Sequence, residues 1–177
     1  MGYVILGIVV IIIVVMINIY NRIVTYKIKV EEAASGIDVA LAKRYAVLIN
    51  TVEVVKGYAK HEAETLAKVV EARNDMTMTQ KTTCYQEYKE AQTKLFALQE
   101  SYPDLKANEN FLSLQDTIFE VEEHLQAARR MYNSNVSLYN QARETFPGNL
   151  VANFASKNTY DFFAANEEES KSVNIKL

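Results

Sequence analysis

The first 21 residues of the chain carry no charged side chain, while all 19 Lys and Arg and all 22 Asp and Glu lie from Arg22 onward. Every residue from Tyr3 to Ile17 is apolar or glycine. At about 1.5 Å of helical rise per residue, the whole uncharged run, which extends to Asn21, is long enough to cross a hydrocarbon core about 30 Å thick. Residues 1–21 are therefore predicted to form a transmembrane helix.

A cleaved secretory signal is the alternative interpretation of this segment. No basic region precedes the apolar run and no small-x-small cleavage site follows it, which favours a retained anchor. The side chains expected to contact lipid are Tyr3, Val4, Ile5, Leu6, Ile11, Ile12, Ile13, Ile17 and Ile19.

Three basic residues, Arg22, Lys27 and Lys29, follow the span closely and form what we call the basic collar. The positive-inside rule then predicts a single-pass protein with its N-terminus outside and the remaining chain in the cytoplasm. The lone Cys84 agrees with a reducing compartment. The collar is also expected to contact membrane lipid, since each basic residue near anionic headgroups contributes about 1 kcal/mol.

The composition of the chain favours an all-α fold. With 5 Gly, 2 Pro, 1 Cys and no Trp, the sequence excludes a disulfide scaffold, a cysteine zinc site and a glycine-rich nucleotide loop. A net charge of -3 gives no electrostatic reason to bind nucleic acid, so no nucleic-acid partner is expected.

Apolar residues spaced by three and four predict three amphipathic helices. No proline occurs between Met1 and Tyr102, so the membrane helix is expected to continue into the first of them, with Gly36 and Gly57 as weak points costing about 1 kcal/mol each. The predicted first stripe comprises Val30, Ala34, Ile37, Leu41, Tyr45, Leu48, Val52, Val55, Ala59, Glu62, Leu66 and Val69.

The second and third predicted helices are bounded by capping residues and prolines. The second follows potential caps at 74–79 and ends before Pro103, and the third is capped by Asn108 and ends at Pro147-Gly148. Asn149 is expected to cap a brief fourth helix. The second stripe is Cys84, Tyr88, Ala91, Leu95, Leu98 and Tyr102; the third is Phe111, Leu114, Ile118, Val121, Leu125, Ala128, Tyr132, Asn135, Tyr139, Ala142 and Phe146.

These helices predict an antiparallel up-down bundle of three long helices and a short fourth over residues 22–160, followed by an acidic C-terminal tail over 161–177. Two polar residues, Glu62 and Asn135, lie on the stripes. Each is expected either at a solvent-exposed end of the bundle or in a polar contact that sets the register between two helices. Phe162 and Phe163 are expected to cover the bundle end, with insertion into the bilayer as the alternative. A second apolar stripe on the first helix is expected to stay uncovered, with coverage by the fourth helix and tail as the alternative: Val39, Val47, Val54 and Val70.

No constellation of catalytic or metal-ligating residues is evident. The two histidines, His61 and His124, each neighbour a carboxylate, but adjacent residues on a helix do not face each other. A di-iron bundle requires Glu-x-x-His pairs, and Tyr58 and Val121 stand where those glutamates would be. The sequence thus predicts no enzyme, no metal and no cofactor, and both histidines are expected to flank the stripes, partly covered.

Several motifs of this chain resemble the LemA family of bacterial membrane-anchored helical proteins. Ala34 and Ile49 depart from the family pattern, which has Trp and Pro there, and loss of the proline is expected to straighten the first helix. The motifs are Tyr20-Asn21-Arg22, Gly36-Ile37-Asp38-Val39, Val55-Lys56-Gly57-Tyr58-Ala59-Lys60-His61-Glu62, Tyr102-Pro103-Asp104-Leu105-Lys106-Ala107-Asn108-Glu109-Asn110-Phe111, Tyr132-Asn133 repeated as Tyr139-Asn140, and Phe146-Pro147-Gly148-Asn149.

The resemblance implies an N-terminal membrane helix in the bacterial inner membrane, a helical bundle, no established enzymatic activity, and relatives tied to magnetosome membrane formation. With the predictions above, it leads us to expect a structural or scaffolding protein that forms a homo-oligomer and organises or shapes the membrane. The alternative is a membrane-bound module that recruits a cytoplasmic protein partner.

Overall fold

The computed structural model describes residues 1–61, 77–155 and 159–163. Within these residues lie five helices and no strand, which confirms the all-α fold class. The helices are α1 (Gly2–Lys56), α2 (Met78–Ser101), α3 (Pro103–Lys106), α4 (Glu109–Glu144) and α5 (Gly148–Ala155). α1 runs without a break from the uncharged segment into the first apolar stripe, as the absence of proline predicted.

Local capping explains where several helices begin. The backbone N–H of Phe111 donates to Oδ1 of Asn108 at 3.0 Å, which confirms the predicted cap of α4. Thr77 caps α2 in a reciprocal pair with Gln80, at the end of the stretch in which caps were expected. α5 begins at Gly148, one residue before the predicted cap.

α1 ends earlier than the first stripe predicted. Its last residue is Lys56, and Gly57 and Tyr58 form a turn in which the N–H of Tyr58 donates to the carbonyl of Val55 at 2.9 Å. Gly36 stays inside the helix, so only the second glycine acts as a terminator. The remaining stripe residues, Glu62, Leu66 and Val69, and also Val70, lie outside the described residues.

The chain folds into two compact units, each assembled from segments that are distant in sequence. Unit 1 comprises Met1–Val39 and Ala127–Asp161, and unit 2 comprises Ala40–Gln126 and Phe162–Leu177. α1 and α4 each contribute residues to both units.

In unit 1, α1 and α4 run antiparallel. Nδ2 of Asn135 donates to the carbonyl of Lys29 at 3.1 Å, and Gln141 and Ala142, nearer the end of α4, line a pocket together with Arg22. Asn135 is half-buried at the edge of the stripe, while its neighbour Val136 is fully buried. The polar position therefore makes a specific contact between the two helices, as one of the two sequence interpretations expected.

In unit 2, α1 and α2 both run opposite to α4. Arg44 lies beside Glu122 and Tyr58 beside Asn108, which fixes the direction of α1. Tyr85 and Gln99 contact α4 at Glu122 and Gln115 respectively, which fixes α2. α1 and α2 therefore run in the same direction here, whereas the sequence predicted antiparallel neighbours. The predicted up-down order is therefore not confirmed by the described residues.

The predicted stripes supply most of the core, with two exceptions. Phe146 is 79% exposed because α4 ends at Glu144 and the chain turns away. Val47, assigned to an uncovered second stripe, is instead buried against Ile118 and Val121 of α4. Val39 of that stripe is exposed. The first stripe is buried or half-buried throughout its described part, from Val30 to Ala59.

The chain after α5 packs back onto the helices. Phe163 is fully buried and its ring meets Tyr85 edge-on at 6.2 Å, while Phe162 is exposed. Covering of the helices by this segment was the favoured interpretation. The acidic run 167–169 of the predicted tail lies outside the described residues.

Candidate functional site: the membrane-proximal junction and a buried ionic network

The N-terminal part of α1 is apolar and uncovered. Its most apolar window has a mean hydropathy of 2.9, and only 6% of that window is buried. The predicted anchor residues from Tyr3 to Ile17 are all exposed. Apolar residues at the core of a soluble protein would be covered instead. Length, composition and exposure together therefore support membrane anchoring through α1.

Protein packing begins before the uncharged run ends. Ile19, assigned to the lipid-facing anchor, is 9% exposed, and Ile23 one turn later is fully buried. Both residues belong to unit 1, which also contains the end of α4 and all of α5. The boundary between anchor and domain therefore overlaps the uncharged segment, and Ile19 belongs to the domain core rather than to the lipid-facing set.

A pocket of about 210 Å³ lies at this junction. It joins the start of the basic collar to the last turns of α4, where the hydroxyl of Thr145 donates to the carbonyl of Gln141 at 2.7 Å. The pocket therefore lies beside Arg22, the first charged residue after the uncharged run. The lining residues are Arg22, Tyr26, Leu138, Gln141, Ala142 and Thr145.

The other two collar residues serve the domain in different ways. Nζ of Lys27 lies 3.6 Å from Oε1 of Glu31, an exposed pair one helical turn apart. The backbone carbonyl of Lys29 accepts the hydrogen bond from Asn135 described above. The structure thus brings only Arg22 of the collar to the pocket.

The segment after α5 is tied to the same part of α1. The hydroxyl of Tyr160 donates to Oε1 of Glu31 at 2.8 Å, and its ring packs edge-on against Tyr139 at 5.3 Å. The hydroxyl of Tyr132 donates to the carbonyl of Asp161 at 2.8 Å. Burial raises the pKa of Tyr132 above its ordinary value, and the nearby Asp161 carboxylate adds to this effect. Tyr132 and Tyr139, both members of the third apolar stripe, are buried.

A buried ionic network in unit 2 was not predicted from the sequence. Its centre is Arg44, which is only 4% exposed and whose guanidinium lies 3.1 Å from the Glu122 carboxylate. The guanidinium also donates to the carbonyl of Tyr85 and stacks over the Tyr85 ring at 4.8 Å from its centroid. The positive charge of Arg44 is therefore held against the ring and the backbone carbonyl of Tyr85.

The partners of Arg44 are themselves connected. The hydroxyl of Tyr85 donates to Oε1 of Glu122 at 2.8 Å, and Nε2 of Gln126 donates to both groups. Burial lowers the pKa of Arg44, and the attraction of Glu122 opposes this shift only in part. Burial likewise raises the pKa of Tyr88, which lies beside the guanidinium. Desolvation therefore outweighs pairing in this network.

Potential metal-ligating side chains are not clustered in the part of the chain that the structure describes. There, no group of three or more His, Cys, Asp and Glu side chains is placed to hold a metal ion. His61 and His124 are exposed rather than partly covered as expected. The Arg44 network links residues of α1, α2 and α4 through an ion pair and hydrogen bonds.

Comparison with known proteins assigns the chain to a family. The family model described as the LemA family matches residues 33–177 of the sequence, which is most of the chain. The chain belongs to the LemA family. Among curated proteins, it is similar to Protein LemA of Metamycoplasma hominis, with 29% identity over 159 residues that cover 87% of this chain and 73% of that protein. The predicted family resemblance is confirmed.

The LemA motifs quoted from the sequence lie at junctions of the fold. Asn108 caps α4 through Oδ1 and donates through Nδ2 to the hydroxyl of Tyr58 at 2.9 Å, so it joins the turn after α1 to the start of α4. Leu105 and Phe111 on either side are fully buried. Two separate motifs therefore meet in one structural contact.

A third LemA motif forms the turn between α4 and α5. A Cβ at Gly148 would overlap the backbone carbonyl of Ala142, so only glycine permits α5 to approach α4 this closely. Sequence analysis quoted Gly148 within its motif but did not predict its close approach to Ala142. Arg44 and Glu122 could have been noticed only as opposite charges flanking the apolar stripes of two helices.

Proposed function

We propose that this LemA-family chain is a membrane-anchored structural protein that self-associates and organises the bacterial inner membrane. The observation that carries the proposal is the continuity of α1. This helix extends without a break from the exposed apolar segment at its N-terminus through the buried core residues Val30 and Ile37. A helix transmits orientation, whereas a flexible linker does not. Each chain is thereby held at a fixed angle to its own anchor, which suits ordered lateral assembly.

The basic collar supports a cytoplasmic location for the domain. Arg22, Lys27 and Lys29 follow the apolar segment, and basic residues next to a span are retained on the cytoplasmic side. We expect a reporter enzyme that works only in the cytoplasm to be active when fused after Leu177. Activity of a reporter that works only outside the membrane would contradict this orientation.

Self-association is supported by apolar side chains that the fold leaves uncovered. Inside lipid, helices associate through packing, and Gly7 leaves open space on the span for close approach. On the part of α1 beyond the span, Ile28 and Val39 are 56% and 67% exposed. Confinement to one membrane raises the effective concentration of such weak contacts, so small interfaces add together.

Light scattering of the intact chain in a mild detergent tests self-association. Truncation at Glu31 is unsuitable as a control, because it would remove the buried residues Ile23 and Val30. Val39→Asp is better, because it charges an exposed site and leaves the core intact. We expect a protein mass well above the 20.1 kDa of one chain, reduced by the substitution. A mass of one chain for the wild type would contradict the proposal.

Recruitment of a cytoplasmic partner is the second candidate function. It is favoured by Leu112 and Phe119, which are exposed on α4 two turns apart and so share a face. Phe96 packs beside Phe119 at 5.8 Å and extends this apolar surface. A chain that is monomeric by light scattering, and that loses a partner on Phe119→Ser substitution, would favour recruitment over self-association.

A further inference from the structure

α5 presents an apolar face that no described part of the protein covers. Phe146 in the preceding turn is 79% exposed, and Leu150 and Phe154 are 57% and 82% exposed. Residues four apart lie on the same side of a helix, so Leu150 and Phe154 share one face. The opposite face is used for packing, since Val151 and Ala152 are buried.

The position of α5 in unit 1 places this face near the end of the membrane span. The bond between Asn135 and Lys29 sets the register of α4 against α1, and Thr145 lies ten residues farther along the chain. At about 1.5 Å per residue, α4 ends roughly 15 Å closer to the membrane, level with Ile19. Thr145 lines the junction pocket together with Arg22, which agrees with this register.

The charge pattern of this region matches an interfacial position. No charged residue occurs from Thr145 to Ser156, a segment that includes all of α5. Arg22 stands at the pocket on the same level and can face anionic headgroups. An exposed apolar face without charges, next to a membrane span and a basic side chain, fits the headgroup region of a bilayer.

We propose that α5 is a second membrane contact, whose exposed face of Phe146, Leu150 and Phe154 inserts into the cytoplasm-facing leaflet beside the span. Such a helix lies in the membrane plane with its apolar side about 5–10 Å into the boundary between headgroups and acyl chains. The proposal rests on membrane anchoring by α1 and not on self-association. It makes the chain attach to lipid through two elements that are far apart in sequence.

The absence of tryptophan from the chain permits a direct test. Phe154→Trp and Leu150→Trp each introduce a single fluorophore at the proposed contact. Phe119→Trp places one at a residue of unit 2 that is 57% exposed, and serves as the matched control. Each full-length variant is reconstituted into vesicles of phosphatidylcholine with a fraction of phosphatidylglycerol, with and without lipids brominated near the headgroup end of the acyl chain.

We expect blue-shifted emission at positions 150 and 154 and loss of most of that fluorescence in brominated vesicles, with neither effect at position 119. Blue-shifted emission that bromine does not quench would mean that protein covers the face, either a second copy or residues 164–177, and would overturn the proposal. Water-like emission at positions 150 and 154, or equal quenching at position 119, would also overturn it.

Two further measurements on the same samples separate this proposal from the proposed function. Flotation of the wild-type chain with vesicles reports anchoring by α1, and its protein mass in detergent reports self-association. Far-ultraviolet circular dichroism of each variant verifies that the helices are retained. Failure of quenching with normal flotation would therefore refute only the contact made by α5.

Discussion

Replacing Arg44 with methionine tests whether the buried ionic network stabilises unit 2. The substitution keeps most of the apolar stem and removes a guanidinium that lies 3.1 Å from the Glu122 carboxylate. Removing one partner of a fully buried pair costs about 3–5 kcal/mol. The Glu122 side chain is 25% exposed and keeps its hydrogen bonds from Tyr85 and Gln126. We therefore expect a smaller loss in the free energy of unfolding, about 2–3 kcal/mol.

Glu122→Gln should cost more than Arg44→Met, because the cation left behind is almost fully buried. Combining Arg44→Met with Glu122→Gln should cost less than either single change, since no unpaired charge remains and desolvation already lowers the pKa of Arg44 despite its partner. The coupling energy between the two sites then exceeds the cost of the larger single change, which places it at the upper end of the range of about 0.5–3 kcal/mol found for contacting residues.

Thermal unfolding of the intact chain in detergent, followed by circular dichroism, measures these differences. At about 3 °C per kcal/mol for a chain of this size, Arg44→Met should lower the midpoint by about 6–9 °C. Lys106→Met is the matched control, because the exposed Lys106–Glu100 pair has a similar 3.0 Å separation. Exposed pairs contribute about 0–1 kcal/mol. Equal small shifts for both variants, or strictly additive effects at Arg44 and Glu122, would refute the reasoning.

Three further substitutions test the packing. Leu125→Asp should unfold unit 2, since it buries an unpaired charge at a fully buried site, whereas His124→Ala next to it should leave the melting curve unchanged because that side chain is exposed. Gly148→Ala should cost about 1–3 kcal/mol by overpacking against α4, and an unchanged midpoint would contradict the close approach. Tyr132→Phe should cost about 1 kcal/mol by removing a hydrogen bond. Because the folded state raises the pKa of Tyr132, stability from this residue is present below about pH 10, the ordinary tyrosine pKa, and lost as the pH rises above it, so the variant should show a weaker alkaline loss in urea titrations.

The apolar stripes could be predicted from sequence because burial follows the helical period. Leu41, Leu48 and Val55 recur at this spacing and are buried, as are Leu125 and Tyr132 on α4. Such a pattern identifies the buried side of a helix without knowledge of its neighbours. The cap at Asn108 and the family motifs were predictable for the same reason, since their signals are local.

Features that depend on a third helix could not be predicted in this way. Val47 lies beside the main stripe and would be exposed in a pair of helices, but Ile118 and Val121 of α4 cover it. Arg44 resembles a solvated flanking charge in sequence, and its burial follows from the positions of Tyr85 and Glu122 on two other helices. The shared direction of α1 and α2 likewise depends on contacts that a stripe does not encode.

The junction at the membrane bears on the choice between the two proposed functions. A recruitment module works on a flexible tether, because its partner has only to be brought near the bilayer. In unit 1 the first buried residue, Ile19, still belongs to the uncharged run. About three helical turns after Ile19, α1 accepts hydrogen bonds from Asn135 at Lys29 and from Tyr160 at Glu31. The span therefore continues into the domain as one helix, without a flexible linker between them. Ordering of these residues carries an entropic cost that simple tethering would not require. A structural role in which neighbouring chains meet at one height and one angle would offset that cost, and for this reason we propose self-association ahead of recruitment.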